Sequence, residues 1–300
     1  MKGYFMIDYN IMPDFSARNL IIGEICKSYD FIHHYYAGES LCKRGIDVLQ
    51  IGCTENSVIF CGGFHGSEYL TVLALLKFAE ECASAFLSKS GSLCNALKNR
   101  GVVIVPCVNP DGVETAIHGS IGAMSYKELV ESVCTDTTHW QANARGVDIN
   151  HNFDAQWNTL REKETALGIN SASPTRFGGN YPHSEPETKA MVRLCKNTTF
   201  DFAVALHSQG REIYYDFGKS TPPLCLSLAK RLAKVSGYKI AQPESIATGG
   251  GFKDWVIDKL KKPALTIEMG LGKNPLPISD FLPEYELVRK ILTEGTFFGL

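Results

Sequence analysis

The segment VIFCGGFHGSEYLTVLALLKFAEECASAF, residues 58–86, decides the fold class because it joins two kinds of secondary structure across a polar turn. Residues 58–62 are continuously apolar, as expected of a strand that helices cover on both faces. Residues 69–86 carry apolar side chains three and four apart, with Lys77 and Glu80 among the charged positions, which predicts an amphipathic helix. A strand, a turn and a helix in this order are typical of an α/β protein.

The same alternation continues along the chain. Short apolar runs predict further strands at 45–51, 102–108, 200–206 and 264–269. Helical periodicity recurs at 222–235 and 284–297, whereas residues 110–200 predict long loops and short helices over a site. We expect a single domain over residues 1–300, an α/β/α sandwich with a mixed, mostly parallel central sheet. Its catalytic core is expected at about residues 45–277.

The composition is that of an ordinary globular protein. Of 300 residues, 44% are hydrophobic and 21% are charged, and the formal net charge is -2. A charge so close to zero gives no bulk attraction to nucleic acid or to a membrane surface, so we expect neither as a partner. The sequence leaves the oligomeric state open.

The cysteines and the N-terminal residues indicate the cellular compartment in which the protein is expected. Ten cysteines without a CxxC pair are typical of buried thiols in a reducing environment. The first twenty residues lack the continuous apolar core of a signal peptide, and no apolar run reaches about 18 residues. We therefore expect a cytoplasmic protein.

Four polar side chains stand at or near the ends of predicted strands. His65 and Glu68 follow the strand at 58–62, His207 follows that at 200–206, and Glu268 lies within that at 264–269. The carboxyl ends of neighbouring parallel strands meet at one edge of a sheet, where α/β proteins place their sites. Two imidazoles and a carboxylate are a common ligand set of catalytic zinc. A buried carboxylate such as Glu268 needs a partner or a task, and a zinc-activated water gives it that of a general base.

Six short motifs occur in a fixed order: GGFHGSE at 62–68, VNPDG at 108–112, GVDINHNF at 146–153, SEPET at 184–188, ALHSQG at 205–210 and TIEMG at 266–270. In this order they make the chain resemble the zinc carboxypeptidase family. The resemblance implies a hydrolase, a zinc metallopeptidase that cleaves a peptide amide bond. It also implies one Zn2+ ion held by His65, Glu68 and His207, with Glu268 as the base and Asn150 binding the substrate.

The sequence departs from the family pattern where the substrate is held. In the carboxypeptidases the residue after the family asparagine is an arginine that binds the terminal carboxylate of the substrate, and here it is His151. A second family arginine polarises the scissile carbonyl, but its position holds Gln141, which leaves Arg145 as the expected oxyanion residue. The family tyrosine before the glycine-rich turn is replaced by Ser245 or Ile246. A standard carboxypeptidase substrate is therefore not expected.

Segments 207–217 and 247–277 resemble the bacterial γ-D-glutamyl-L-diamino acid (meso-diaminopimelate) peptidases, which cut cell-wall stem peptides. The resemblance implies a stem peptide or muropeptide as substrate, for either an exported enzyme or a cytoplasmic one. The absence of a signal segment favours the cytoplasmic role, in recycling imported wall fragments. It places Asp254 in the specificity pocket, where its carboxylate would pair with the amino group of a diamino acid, although a helix-start aspartate explains it equally well. Arg211 and Tyr215 are expected to line the same cleft.

Three alternatives stay open. The first is a zinc carboxypeptidase acting on other peptides. The second is an N-acyl amino acid deacylase of the related amidohydrolase group, which also uses HxxE, a later histidine and a glutamate. The third is a catalytically dead binding module, which the presence of all three expected ligands and of the base disfavours.

Overall fold

A central sheet of eight strands carries the fold in the computed structural model, which describes residues 7–299. The strands are β1 (His33–Glu39), β2 (Gly45–Ile51), β3 (Ser57–Cys61), β4 (Gly101–Val105), β5 (Phe200–His207), β6 (Glu212–Tyr214), β7 (Lys239–Ile240) and β8 (Ala264–Glu268). Their spatial order is β1-β2-β4-β3-β5-β8-β6-β7. The central strands β4, β3, β5 and β8 are parallel, whereas β1 with β2, β2 with β4, and β6 with β8 pair antiparallel. The prediction of a mixed, mostly parallel sheet is confirmed.

Helices cover both faces of this sheet. They are α1 (Phe15–Ser28), α2 (Leu70–Ser88), α3 (Ser92–Asn99), α4 (Pro110–His118), α5 (Lys127–Val133), α6 (Trp157–Ala166), α7 (Pro186–Asn197), α8 (Pro223–Ser236), α9 (Phe252–Trp255) and α10 (Phe281–Phe297). Within residues 7–299, no helix combines the length and the apolar character that crossing a membrane requires.

The strand side chains alternate between two apolar layers. In β3, Val58 and Phe60 pack into one layer with α2 and α10, whereas Ile59 and Cys61 pack into the other with α7 and α9. All five residues of β3 are buried. Burial on both faces explains why the central strands read as continuous apolar runs. The two layers and the sheet between them form the predicted single-domain α/β/α sandwich.

Three strands were not predicted from the sequence. Strand β1 lies at one end of the sheet and is partly exposed, and β6 and β7 lie at the other end with only three and two residues. Strands as short as β6 and β7 show no recognisable alternation of apolar and polar residues. Residues 110–200 contain α4 to α7, of 7 to 12 residues each, among long loops, as predicted.

The sheet topology brings the candidate site residues to one edge. His207 and Glu268 are direct register partners at the ends of the parallel strands β5 and β8. Strand β3 pairs with β5 on its other side, and the loop after β3 carries His65 and Glu68 into α2. Because parallel strands end at the same edge of a sheet, all four side chains meet there.

Candidate metal centre

Three side chains with metal-binding atoms converge at the carboxyl edge of the sheet. Ligand atoms of His65, Glu68 and His207 all lie within 4.8 Å of one another. Nδ1 of His65 lies 2.8 Å from Glu68 Oε1, and Nδ1 of His207 lies 3.0 Å from Glu68 Oε2. Both imidazoles thus turn the same ring nitrogen towards one carboxylate. Two nitrogens and a carboxylate form a donor set that suits zinc and leaves a coordination position open.

The charges of this cluster reinforce one another. Burial by itself raises the pKa of the Glu68 carboxyl, but His65 and His207 lower that pKa to about 2. Burial likewise disfavours a charged His65, yet the carboxylates of Glu68 and Asp148 raise the pKa of its imidazole well above the ordinary value. The cluster therefore attracts positive charge, which a bound metal cation would supply in place of protons. Donor set and charge both fit a divalent metal ion.

Asp148 supports His65 from the other side of the imidazole ring. Its Oδ1 lies 3.2 Å from His65 Nε2. The carboxylate also accepts hydrogen bonds from the backbone N–H groups of Asn150 and Arg176, at 3.0 and 2.9 Å. A carboxylate on Nε2 selects the tautomer that leaves Nδ1 free to bind a metal. His207 lacks this support, because its Nε2 is buried and has no hydrogen-bond partner among the described residues.

The loop at 62–69, which carries two of the three side chains, is held by close backbone packing. A Cβ atom on Gly66 would lie 2.1 Å from the carbonyl oxygen of Gly112, so only glycine fits there. Asn109 accepts a hydrogen bond from the Gly112 N–H at 2.9 Å and so caps the start of α4. Its Nδ2 donates to the carbonyl oxygen of Phe64, also at 2.9 Å. The Asn109 side chain thus fixes the backbone next to His65.

Glu268 faces the cluster from β8. Burial raises the pKa of its carboxyl well above the ordinary value, and the neighbouring Glu68 carboxylate raises it further. As the register partner of His207, Glu268 stands next to the position that a metal ion would occupy. A carboxyl group in this place can accept a proton from water and return it to a leaving group.

A cavity of about 190 Å³ opens onto the cluster. Its wall includes the four residues just described and four of the predicted substrate-binding residues, namely Gln141, Asn150, His151 and Asp254. It also includes residues to which the sequence assigned no role, among them Asp148, Arg176, Tyr214 and Lys253. The site is therefore assembled from strand ends and from loops that are distant in the chain.

Two amides on the cavity wall are oriented by their neighbours. Asn150 Oδ1 accepts a hydrogen bond from the Phe252 N–H at 2.9 Å, so its amide nitrogen is the group that can donate to a ligand. The Thr175 hydroxyl donates to Gln141 Oε1, which assigns the same role to the Gln141 nitrogen. His151 is held on the wall differently, by a 2.8 Å contact between its Nδ1 and a carboxylate oxygen of the buried Glu164.

Lys253 and Asp254 form an ion pair at the cavity wall, with 2.5 Å between Nζ and Oδ1. Both side chains are buried. The lysine also donates to the Asp216 carbonyl at 2.7 Å, and the second aspartate oxygen accepts from the Gly249 N–H at 2.7 Å. The aspartate is therefore not an isolated negative charge but half of a neutral pair.

Residues 22–291 match the sequence pattern of the zinc carboxypeptidase family. The chain belongs to the zinc carboxypeptidase family. This member of the family is 31% identical to gamma-D-glutamyl-L-diamino acid endopeptidase 1 of Lysinibacillus sphaericus, over 95% of this chain and 72% of that protein. It is 28% identical to murein peptide amidase A of Escherichia coli strain K12, over 68% of each chain.

Solved structures share the fold of this zinc carboxypeptidase family member. Bovine thrombin-activatable fibrinolysis inhibitor, solved with a tick carboxypeptidase inhibitor, matches with a TM-score of 0.75 and 21% identity, over 96% of this chain and 97% of that one. The murein-tripeptide amidase of Escherichia coli O157 matches with a TM-score of 0.55 and 23% identity, over 87% and 91%. Membership of the family makes the chain a hydrolytic zinc metallopeptidase that uses one Zn2+ ion.

Two of the expected site arginines of this metallopeptidase do not line the cavity. The Arg145 guanidinium is bound to both carboxylate oxygens of Glu185, at 2.7 and 2.8 Å. Arg211 is bound in the same way to Glu284, at 2.6 and 3.1 Å. Each guanidinium already holds a carboxylate in a bidentate pair, which is costly to break. We therefore do not propose Arg145 for oxyanion stabilisation or Arg211 for substrate binding.

The expected tyrosine is displaced by one residue. Tyr215 packs against the apolar layers, whereas Tyr214 lines the cavity. Tyr214 pairs with Thr266 across β6 and β8, and Thr266 also lines the cavity. Tyr215 follows directly after the end of β6, and its side chain packs against the apolar layers and not on the cavity wall.

Three residues of the cavity wall were not predicted from the sequence. Asp148 lies within GVDINHNF, two residues before the predicted Asn150, and Lys253 directly precedes the predicted Asp254. Arg176 lies in a loop, at φ 66°, outside the six motifs. No periodicity or motif spacing indicates where such a loop residue points.

Proposed function

We propose that this zinc metallopeptidase hydrolyses the γ-D-glutamyl–diamino acid bond of bacterial cell-wall stem peptides or muropeptides. The buried Lys253–Asp254 pair on the cavity wall carries the proposal. The side chain of meso-diaminopimelate ends in an amino group and a carboxylate on one carbon atom. An ammonium and a carboxylate side by side present the complementary charges to that end. The similarity to an endopeptidase and an amidase whose names refer to γ-D-glutamyl-diamino acid and murein peptides supports the same class of substrate.

The residues at the two positions where the family has arginines disfavour an ordinary C-terminal peptide as substrate. Gln141 and His151 both line the cavity, but neither offers the permanent charge and planar fork of a guanidinium. His151 is in addition fixed by its contact with Glu164. A substrate held mainly by its terminal carboxylate would find no arginine at either position.

The side chains of the site can be assigned to the steps of amide hydrolysis. Zinc bound by His65, Glu68 and His207 would supply Lewis acidity, polarising the scissile carbonyl and lowering the pKa of water. Glu268 takes the proton from the attacking water and delivers it to the leaving nitrogen. The amide nitrogens of Gln141 and Asn150 can donate hydrogen bonds to the substrate backbone.

The cysteines favour a reducing compartment for this reaction. All ten lie within the described residues, and all are free. A chain so rich in free thiols suits the cytoplasm, where imported wall fragments would be the substrate.

A substrate panel tests the proposal. The purified chain, loaded with zinc, is offered L-Ala-γ-D-Glu-meso-diaminopimelate, the same tripeptide ending in L-lysine, an ordinary α-linked peptide and an N-acetyl amino acid. We expect release of diaminopimelate from the first, slower cleavage of the lysine peptide, loss of both activities with a chelator and their return with zinc. Faster cleavage of the α-linked peptide or of the acyl amino acid would contradict the proposal. Zinc binding without any turnover would favour the binding module.

A further inference from the structure

A lysine and an arginine, Lys253 and Arg176, line the cavity within the described part of the chain, and they differ in how firmly they are paired. The Lys253 ammonium is buried and bound to Asp254 and to the Asp216 carbonyl. The Arg176 guanidinium forms an ion pair with Glu244 at 3.4 Å, and both side chains are exposed, at 43% and 76%. An exposed pair of this kind contributes little stability, about 0–1 kcal/mol, so Arg176 is available to a ligand.

The backbone of Arg176 is fixed beside the metal-binding cluster even though its side chain is loosely held. Its N–H donates to Asp148 Oδ2 at 2.9 Å, and Asp148 Oδ1 contacts His65 Nε2. The guanidinium therefore starts from the His65 side of the cavity. Thr175, the preceding residue, lines the same wall and donates to Gln141.

The Lys253–Asp254 pair lies further along the same wall. The residue before it, Phe252, donates its N–H to Asn150 Oδ1, and Asn150 donates its own N–H to Asp148. In this chain of hydrogen bonds, Asp148 and Asn150 lie between the backbone of Arg176 and the Lys253–Asp254 pair. The cavity wall therefore offers an exposed, loosely paired guanidinium and, separately, a buried neutral ion pair.

We propose that Arg176 binds a free carboxylate on the acyl side of the scissile bond. This inference rests on the proposed function, which assigns the Lys253–Asp254 end to the diamino acid on the leaving side. A γ-linked glutamyl residue uses its side-chain carboxyl for the amide and so keeps its α-carboxylate, which an ordinary α-linked residue does not. A guanidinium fork binds such a group in two parallel hydrogen bonds. Arg176 then selects γ-linked acyl groups over α-linked ones.

One matched pair of substrates isolates this contact. L-Ala-γ-D-Glu-meso-diaminopimelate carries the α-carboxylate, and the corresponding D-isoglutamine tripeptide carries a neutral carboxamide in the same place. We expect the zinc-loaded wild-type enzyme to prefer the carboxylate substrate by about 10- to 100-fold in kcat/KM, as for one charged hydrogen-bonded contact. Arg176→Gln should remove the preference by slowing only the carboxylate substrate, and Arg176→Lys should keep part of it.

Binding without turnover gives a second readout. In a Glu268→Gln background, titration calorimetry should show that Arg176→Gln weakens binding of the carboxylate tripeptide, by about the same 10- to 100-fold, and leaves binding of the isoglutamine form unchanged. Arg145→Gln is the matched control, because that guanidinium is bound to Glu185 and does not line the cavity. It should leave the preference intact.

The outcomes separate the inference from the proposed function. Equal rates of the wild-type enzyme on both tripeptides, or an equal loss on both in Arg176→Gln, would overturn the role of Arg176 while leaving the proposed function standing. A folded, zinc-loaded wild-type enzyme that cleaves neither tripeptide would overturn the proposed function, and this inference with it.

Discussion

Asp148 and His65 are hydrogen-bond partners, with 3.2 Å between Oδ1 and Nε2, on the side of the imidazole opposite the atom that faces Glu68. The carboxylate orients the ring and raises the basicity of Nδ1, the nitrogen that faces Glu68. Asp148→Asn is therefore expected to lower zinc affinity by about 10- to 100-fold, measured by competition with a chelator of known affinity. Asp154→Asn, at an exposed carboxylate in the same stretch, is the control. Equal zinc affinities of the two variants would refute the orienting role.

Glu268→Gln separates metal binding from proton transfer. The glutamine keeps the size of the side chain but accepts no proton, so turnover should fall by about 10²- to 10⁴-fold. Zinc content, measured by atomic absorption, should stay at one ion per chain because Glu268 is not among the three converging ligands. Glu212→Gln tests a nearby carboxylate, the register partner of Glu268 on β6, and should keep most of the activity. Near-normal turnover of Glu268→Gln would exclude it as the base.

Because Lys253 and Asp254 form a buried ion pair, we expect the effects of their substitutions on the unfolding free energy to be strongly coupled. Lys253→Met leaves a buried aspartate, and Asp254→Asn leaves a buried ammonium, so each single variant should lose about 3–5 kcal/mol of unfolding free energy. The double variant removes both charges and should lose clearly less than the sum of the two single losses. Urea unfolding of the four proteins measures this coupling. Simple additivity would show that the two charges do not depend on each other.

The buried Glu187 carboxyl is expected to make the stability of the folded chain depend on pH. Burial and the neighbouring Asp111 and Glu185 carboxylates raise the pKa of Glu187 to about 8 from 4.5. The folded chain thus holds a proton that the unfolded chain releases, so Glu187 contributes stability at low pH that is lost as pH rises through this window. Glutamine does not titrate, so the stability of Glu187→Gln relative to wild type should increase between about pH 5 and pH 8, by at most about 1.4 kcal/mol per pH unit.

Thermal unfolding of both proteins at several pH values measures this difference. Glu187 accepts hydrogen bonds from the Leu41 N–H and from Asn143, and the glutamine oxygen can still accept one of them. That loss is the same at every pH. A difference between the two proteins that does not change with pH would show that Glu187 is ionised in the folded chain.

The central part of the fold follows from local sequence patterns. Strand β2 has the predicted bounds, and β3, β4, β5 and β8 differ from the predicted strands by a few residues at their ends. These strands are buried on both faces, so their apolar runs are continuous and easily recognised. The strands β1, β6 and β7 at the sheet ends are short or partly exposed, and their sequences carry no comparable signal.

The candidate site likewise has one part that can be predicted from the sequence and one that cannot. His65, Glu68, His207 and Glu268 come together because strand ends and parallel topology position them, and both can be inferred from sequence. Side chains on long loops are positioned by tertiary contacts instead. Arg145 is the clear example, because its partner Glu185 is 40 residues away and its guanidinium turns to that carboxylate. Spacing within a motif carries no information about such a contact.

Glu68 and His207 touch although 139 residues separate them in the chain. Closing a loop of this length costs entropy that local structure cannot repay, so the two residues meet only after β3 and β5 have paired. The three ligands can then hold one metal ion together only in the folded chain, so bound metal stabilises the native state. Zinc bound at this site therefore reports that β3 and β5 have paired, independently of any assay of hydrolysis.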